Sequence, residues 1–124
     1  MKKLISTMVF VLGVVALSFA QEATNTATSQ GTEALAKSKT SGMYVFTMPQ
    51  GTTSDEVAQA ASYYKNNFTV DYDAGANEAS IRITGDPGQS RQIMIRFLSG
   101  CGASFVDVDG TAEKLMVFHA NHLE

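Results

Sequence analysis

One cysteine, two prolines and no tryptophan occur in 124 residues, and no basic run is longer than the Lys2-Lys3 pair. The single cysteine, Cys101, cannot close an internal disulfide. An apolar core alone must then hold the fold, which a domain of roughly 70 to 80 ordered residues can supply. Twelve acidic residues face nine basic ones, two of which lie at the extreme N terminus, so the chain beyond residue 20 carries a net charge near −5. An acidic chain without a basic stripe is a poor candidate for nucleic acid or for an anionic membrane. Histidine is absent before His119. No Ser/His/Asp or Cys/His set is therefore supported, and no enzymatic activity is expected.

Long hydrophobic runs are also scarce. The one present, Leu4 to Phe19, follows Lys2 and Lys3 and is interrupted only by Ser6, Thr7, Gly13 and Ser18. Ser18-Phe19-Ala20 then places small residues at both positions a signal peptidase reads. Residues 1–20 are read as a secretory signal peptide cleaved before Gln21, because the apolar stretch is short for a membrane span. The mature chain is expected to be exported, periplasmic or secreted from a bacterial cell, with no membrane association after cleavage. No cysteine stands at the cleavage site, so no lipid anchor is indicated. Residues 21–41 are rich in Thr, Ser, Ala, Gln and Asn, with Leu35 the only large aliphatic. Such a composition buries too little apolar area to offset the entropy of ordering, which predicts a flexible spacer.

From Gly42 to Gly110 one pattern occurs twice. A shift of 36 residues lays Val45-Phe46-Thr47-Met48 over Ile81-Arg82-Ile83-Thr84, and Phe68 to Asp73 over Ser104 to Asp109. Each copy reads strand, helix, strand, and a repeat of this length is one supersecondary unit. Thr53 and Glu56 form a capping box ahead of the first helix. Asp86, Pro87 and Gln89 mark the start of the second. Phe68, Val70 and Tyr72 alternate with polar residues, as do Ala79, Ile81 and Ile83, which predicts a hairpin across residues 73–78. Two such units make an α+β, ferredoxin-like β-α-β-β-α-β sandwich over residues 42–110. Its expected sheet has four antiparallel strands in the order 4-1-3-2, with two helices on one face. Residues 111–124 form a C-terminal tail in which Ala112 to Met116 favour a short helix, whereas Val117 and Phe118 would suit a strand.

Over roughly Gly42 to Asp109 the chain resembles the heavy-metal-associated domain family. Thr47-Met48 falls where that family has Gly-Met, Val57 matches an apolar helix position, and Leu98 to Ser104 is similar to its Gly-rich entry to the last strand. The resemblance implies the duplicated fold and binding of a soft metal such as Cu(I), or Zn(II), by a Cys-x-x-Cys loop. In this sequence those two positions are Gln50 and Thr53, neither of which supplies a thiolate.

The expected topology brings three pieces to one pole: residues 48–53, the hairpin at residues 73–78, and residues 100–102. Met48 and Cys101 would be neighbours there, as soft ligands for Cu(I) or as fillers of the core. His119 and His122, with Met116, form a second candidate metal cluster or a solvated end. If Val45 and Thr47 face the helices, then Tyr44, Phe46 and Phe105 form an aromatic patch on the open sheet face, free for a protein partner or covered by the tail. Asp71, Asp73, Asp107 and Asp109 read as charges on outer strands that discourage edge pairing. The resulting expectation is a small non-enzymatic binding domain, with residual soft-metal binding as one form. An interaction module using the open sheet face is the alternative, or a propeptide-like protease inhibitor with an extended tail, on fold analogy alone.

Overall fold

A computed structural model describes residues 25–124. The expected signal segment and the first residues of the expected spacer lie outside the described residues. The elements run β1 (Thr26–Thr28), α1 (Thr32–Ser41), β2 (Met43–Thr47), α2 (Ser54–Ser62), β3 (Phe68–Asp73), β4 (Glu78–Ile83), α3 (Pro87–Gly100), β5 (Phe105–Val108), β6 (Thr111–Lys114) and α4 (Leu115–Phe118), followed by a π-helical turn at His119–Leu123. Both copies of the strand-helix-strand repeat are present, as β2-α2-β3 and β4-α3-β5. The two helix starts form as their sequences dictate. Thr53 Oγ1 accepts from Glu56 N at 3.2 Å while Glu56 Oε1 accepts from Thr53 N at 3.2 Å. Asp86 Oδ2 accepts from Gln89 N at 2.8 Å, with Pro87 in the first turn.

The sheet corrects the four-stranded antiparallel expectation. Among the described residues it has six strands in the order β3-β4-β2-β1-β5-β6 and is mixed, since β1 runs parallel to β5 and antiparallel to β2. The predicted neighbours β2 and β5 are separated by β1, which lies in the segment whose composition predicts a spacer. Composition misleads there for a physical reason. Among the described residues of this segment, only Ala27 of β1 and Leu35 of α1 are buried apolar side chains. Backbone pairing of β1 with strands on both sides supplies what the side chains lack.

The second addition is a hairpin between β5 and β6. Asp109 and Gly110 take positive φ values of 53° and 91°, and two left-handed residues match the twist of the flanking strands. Asp109 then reaches across to α1. Its Oδ2 accepts from Thr32 N at 3.1 Å and from Thr32 Oγ1 at 2.7 Å, so the helix is capped from 77 residues away. The close approach requires glycine at position 31, where an added Cβ would lie 2.6 Å from Asp109 Oδ1.

The helices cover one face of the sheet. Phe68 meets Phe97 of α3 edge-on at 5.8 Å, and Phe46 meets Phe118 of α4 at 6.0 Å. Tyr44, Phe46, Ile81, Val106, Met94, Leu98 and Leu123 join them in one core cluster. The strand parity of β2 is therefore opposite to the sequence expectation: Tyr44 and Phe46 face the helices and are fully buried, whereas Val45 and Thr47 face away. Met43 to Thr47 carries apolar residues on both faces, so alternation alone cannot choose between them. Register chooses. Tyr44 lies opposite Ile81 and Phe46 opposite Ala79, and both of those partners are buried. A one-residue slip would invert every side chain of the strand.

Candidate functional site

The three chain segments expected at one pole do meet there, through hydrogen bonds between the turns. Met48 N donates to Asn77 O at 2.8 Å, and Asn77 Nδ2 donates to Met48 O at 2.7 Å and Pro49 O at 3.2 Å. The Tyr72 hydroxyl lies between Asn77 Oδ1 and the Thr52 carbonyl. Thr52 Oγ1 reaches the Cys101 carbonyl at 3.4 Å. Asn77 sits at a left-handed φ of 54°, a conformation asparagine tolerates. The pole is thus fixed by polar groups that satisfy one another.

Its soft-ligand residues are occupied with packing. Cys101 is 2 % exposed and Met48 3 % exposed, both within the core cluster. Burial, with the nearby Glu56 carboxylate adding to it, pushes the Cys101 thiol up to about 12. A thiolate is the form that ligates soft metals and attacks electrophiles, and this environment opposes it. Among the described residues no three His, Cys, Asp or Glu side chains gather closely enough to hold a metal ion.

The C-terminal histidines are used differently from the expected i, i+3 pair. His122 Nε2 lies 3.2 Å from Glu113 Oε2, and its ring packs against Phe118 at 5.5 Å. Asn121 Nδ2 donates to Glu113 Oε1 at 3.0 Å. Met116 points outward and is 73 % exposed. Phe118 and Leu123 are buried, so the tail closes the core rather than extending from it. Arg91 Nε donates to the Leu123 carbonyl at 2.6 Å and ties the tail to α3.

The expected aromatic patch is corrected in the same way. Tyr44 and Phe46 are absent from the surface, their rings parallel to each other at 6.5 Å beneath the helices. The Tyr44 hydroxyl is buried with no hydrogen-bond partner among the described residues. Desolvation raises its pKa, partly offset by the Arg91 charge. Phe105 alone of the three keeps its expected side and is half-buried on the face away from the helices.

That helix-free face was not legible in its true composition. Cross-strand registers place Asp73, Glu78, Thr47, Thr28, Asp107 and Ala112 in one row spanning all six strands. Below it stand Asp71, Ser80 and Val45, and beyond these Thr69, Arg82 and Met43. Two residues along from Asp107, Phe105 lies beside Thr26 and Lys114. The surface is threonine-rich at its centre, carries half-exposed Val45, Met43 and Phe105, and is acidic to either side, at Asp71, Asp73 and Glu78 on one flank and Asp107 on the other.

Two shallow grooves flank α2. One, of about 410 Å³, is lined by Glu56, Gln59, Tyr63, Tyr64 and Gly100. The other, of about 500 Å³, runs between α2 and the outer strand β3 along Ala58, Ala61, Lys65, Phe68 and Val70. Among the described residues no helix is long and apolar enough to cross a membrane. No protein-family model, curated protein or solved structure matches this chain.

Proposed function

We propose that this chain is an exported, non-enzymatic binding domain that engages a protein partner through the helix-free face of its sheet. One observation carries the reading: every helix packs on the opposite side, leaving six strands with half-exposed Val45, Met43 and Phe105 uncovered among the described residues. Exposed apolar groups on a broad rigid surface mark contact sites. The carboxylates of Glu78, Asp107 and Asp71 around them favour a partner that presents basic side chains beside an apolar centre.

Cu(I) binding at Met48 and Cys101 has less in its favour, since a soft ion would have to displace a proton from a thiol raised to about 12. The inhibitor reading needs an extended tail, and Phe118 and Leu123 are buried in the core.

The test is a photo-crosslinking side chain placed at Val45 and, as a control, at Gln92 on the solvent side of α3, in cells that express the chain naturally. A discrete adduct from position 45, absent from position 92 and lost with Glu78→Lys, is expected. Adducts from both positions, or from neither, would end the proposal.

A further inference from the structure

The two edges of the sheet are unlike. The β6 edge is four residues long and β6 leads directly into α4. The β3 edge is six residues long, and the groove along α2 lies beside it.

Backbone alternation shows which β3 groups face outward. Ile83 N donates to Gly42 O on the β2 side at 2.8 Å, so Ile83, Ile81 and Ala79 turn their backbone groups toward β2. Arg82, Ser80 and Glu78 then pair with Thr69, Asp71 and Asp73. This leaves the N–H and C=O groups of Val70 and Tyr72 on the outer side, together with the Phe68 carbonyl. The Phe68 N–H is taken by Tyr64 O at 3.1 Å. Among the described residues no strand lies beyond β3. Such a row is a template for another strand.

Charge identifies the strand that fits. At its Phe68 end the edge is basic, with Lys65 on the groove wall and Arg82 beside Thr69; at its other end it is acidic, with Asp71, Asp73 and Glu78. An antiparallel second copy of the same edge sets the basic end of one against the acidic end of the other. We infer that the β3 edge and its α2 groove form a twofold interface between two copies of this chain, joined antiparallel with Val70 opposite Val70.

That register is singled out by the side chains. It places each Asp71 opposite Thr69 of the other copy, next to that copy's Arg82, and each Phe68 opposite Tyr72. Moving the axis by half a step, to pair Val70 with Tyr72, would set the two Asp71 carboxylates directly opposite each other, which is destabilising. On the helix side the small residues Ala58, Ala61 and Ser62 let the two α2 helices approach. The result is a continuous twelve-stranded sheet whose helix-free faces are joined, and it holds whether or not those faces bind a partner.

The test uses the chain from Gln21 onward, which retains every described element, in sedimentation equilibrium from about 10 µM to about 1 mM. A monomer–dimer equilibrium is expected that weakens with added salt and at least tenfold with Val70→Lys. Val70→Cys with mild oxidant should give a covalent dimer, because residues paired in this way have Cα atoms about 5.5 Å apart, within disulfide reach. Buried Cys101 does not compete. Asp71→Cys should crosslink more slowly. A chain monomeric at about 1 mM, a dimer indifferent to Val70→Lys, or faster crosslinking through position 71 would each overturn the interface. The crosslinking comparison decides the matter if Val70→Lys fails to fold.

Discussion

Phe46 and Val45 are adjacent, and the fold assigns them opposite environments; exchanging their roles is the sharpest available test of the sheet. Phe46 is fully buried, with its ring edge-on to Phe118 at 6.0 Å and parallel to Tyr44 at 6.5 Å. Truncation to alanine removes a large apolar surface and leaves a cavity between β2 and α4. Core Phe→Ala changes cost about 3–5 kcal/mol. A domain of this size has about 5–15 kcal/mol in total, so Phe46→Ala should remove a large fraction of the stability. With a urea dependence of about 1–3 kcal/mol per molar, the midpoint should fall by about 1 M or more. Val45→Thr is the matched control, as it keeps shape and β-branching and adds one hydroxyl. On the solvent side it should change stability by no more than about 0.5 kcal/mol. Were Val45 the residue packed on the helices, the same hydroxyl would be buried without a partner and cost about 1–3 kcal/mol. Equilibrium urea unfolding followed by circular dichroism reads both. A tolerant Phe46→Ala beside a damaging Val45→Thr would refute the assigned parity, and with it the helix-free face.

Two further outcomes follow from titrating groups. Cys101 should react with a thiol reagent at pH 8 only on the timescale of unfolding, and promptly in denaturant. Because its folded pKa is raised from 9.0 to about 12, its contribution to stability is intact below pH 9 and lost as pH climbs through about 12. Rapid labelling of native protein would contradict this burial. Asp109 shifts the other way: the hydroxyl and then the backbone N–H of Thr32 hold its carboxyl below the usual value. The cap it gives α1 should therefore be present above the unfolded carboxyl pKa and lost as pH falls through the folded one. Asp109→Ala should lower stability at pH 6 and flatten the acid side of the profile; an unchanged acid limb would show that the cap contributes nothing.

Several elements were legible because their signals are local. The capping box at Thr53, the Asp86-Pro87 start of α3 and the β3–β4 hairpin depend on residues within one turn or one loop, and each forms as read. The β5–β6 hairpin was equally local: Asp109-Gly110 between Val108 and Thr111 is a two-residue turn signal. The 36-residue repeat ends at this turn, so the periodic pattern itself gives no reason to extend the sheet beyond it. The pole also came out as expected in its meeting of three segments, although the residues that join them, Asn77 and Tyr72, carry no signal beyond a turn asparagine and a strand tyrosine.

What the sequence by itself determined is the pair of strand-helix-strand units, the starts of their helices and the acidic, nearly cysteine-free character of the chain, since all of these arise from neighbours along the backbone. Tertiary structure decided the rest. Whether Tyr44 or Val45 faces the helices depends on registry with Ile81 and Ala79, more than thirty residues away. Whether Thr26–Thr28 is a strand depends on an opening between β2 and β5 that no property of those three residues announces. The N terminus of α1 is closed by Asp109 from the far end of the chain, and Cys101 is kept neutral by what surrounds it. Packing fixes these choices because each is an interaction between distant segments, and its energy exists only once they have met.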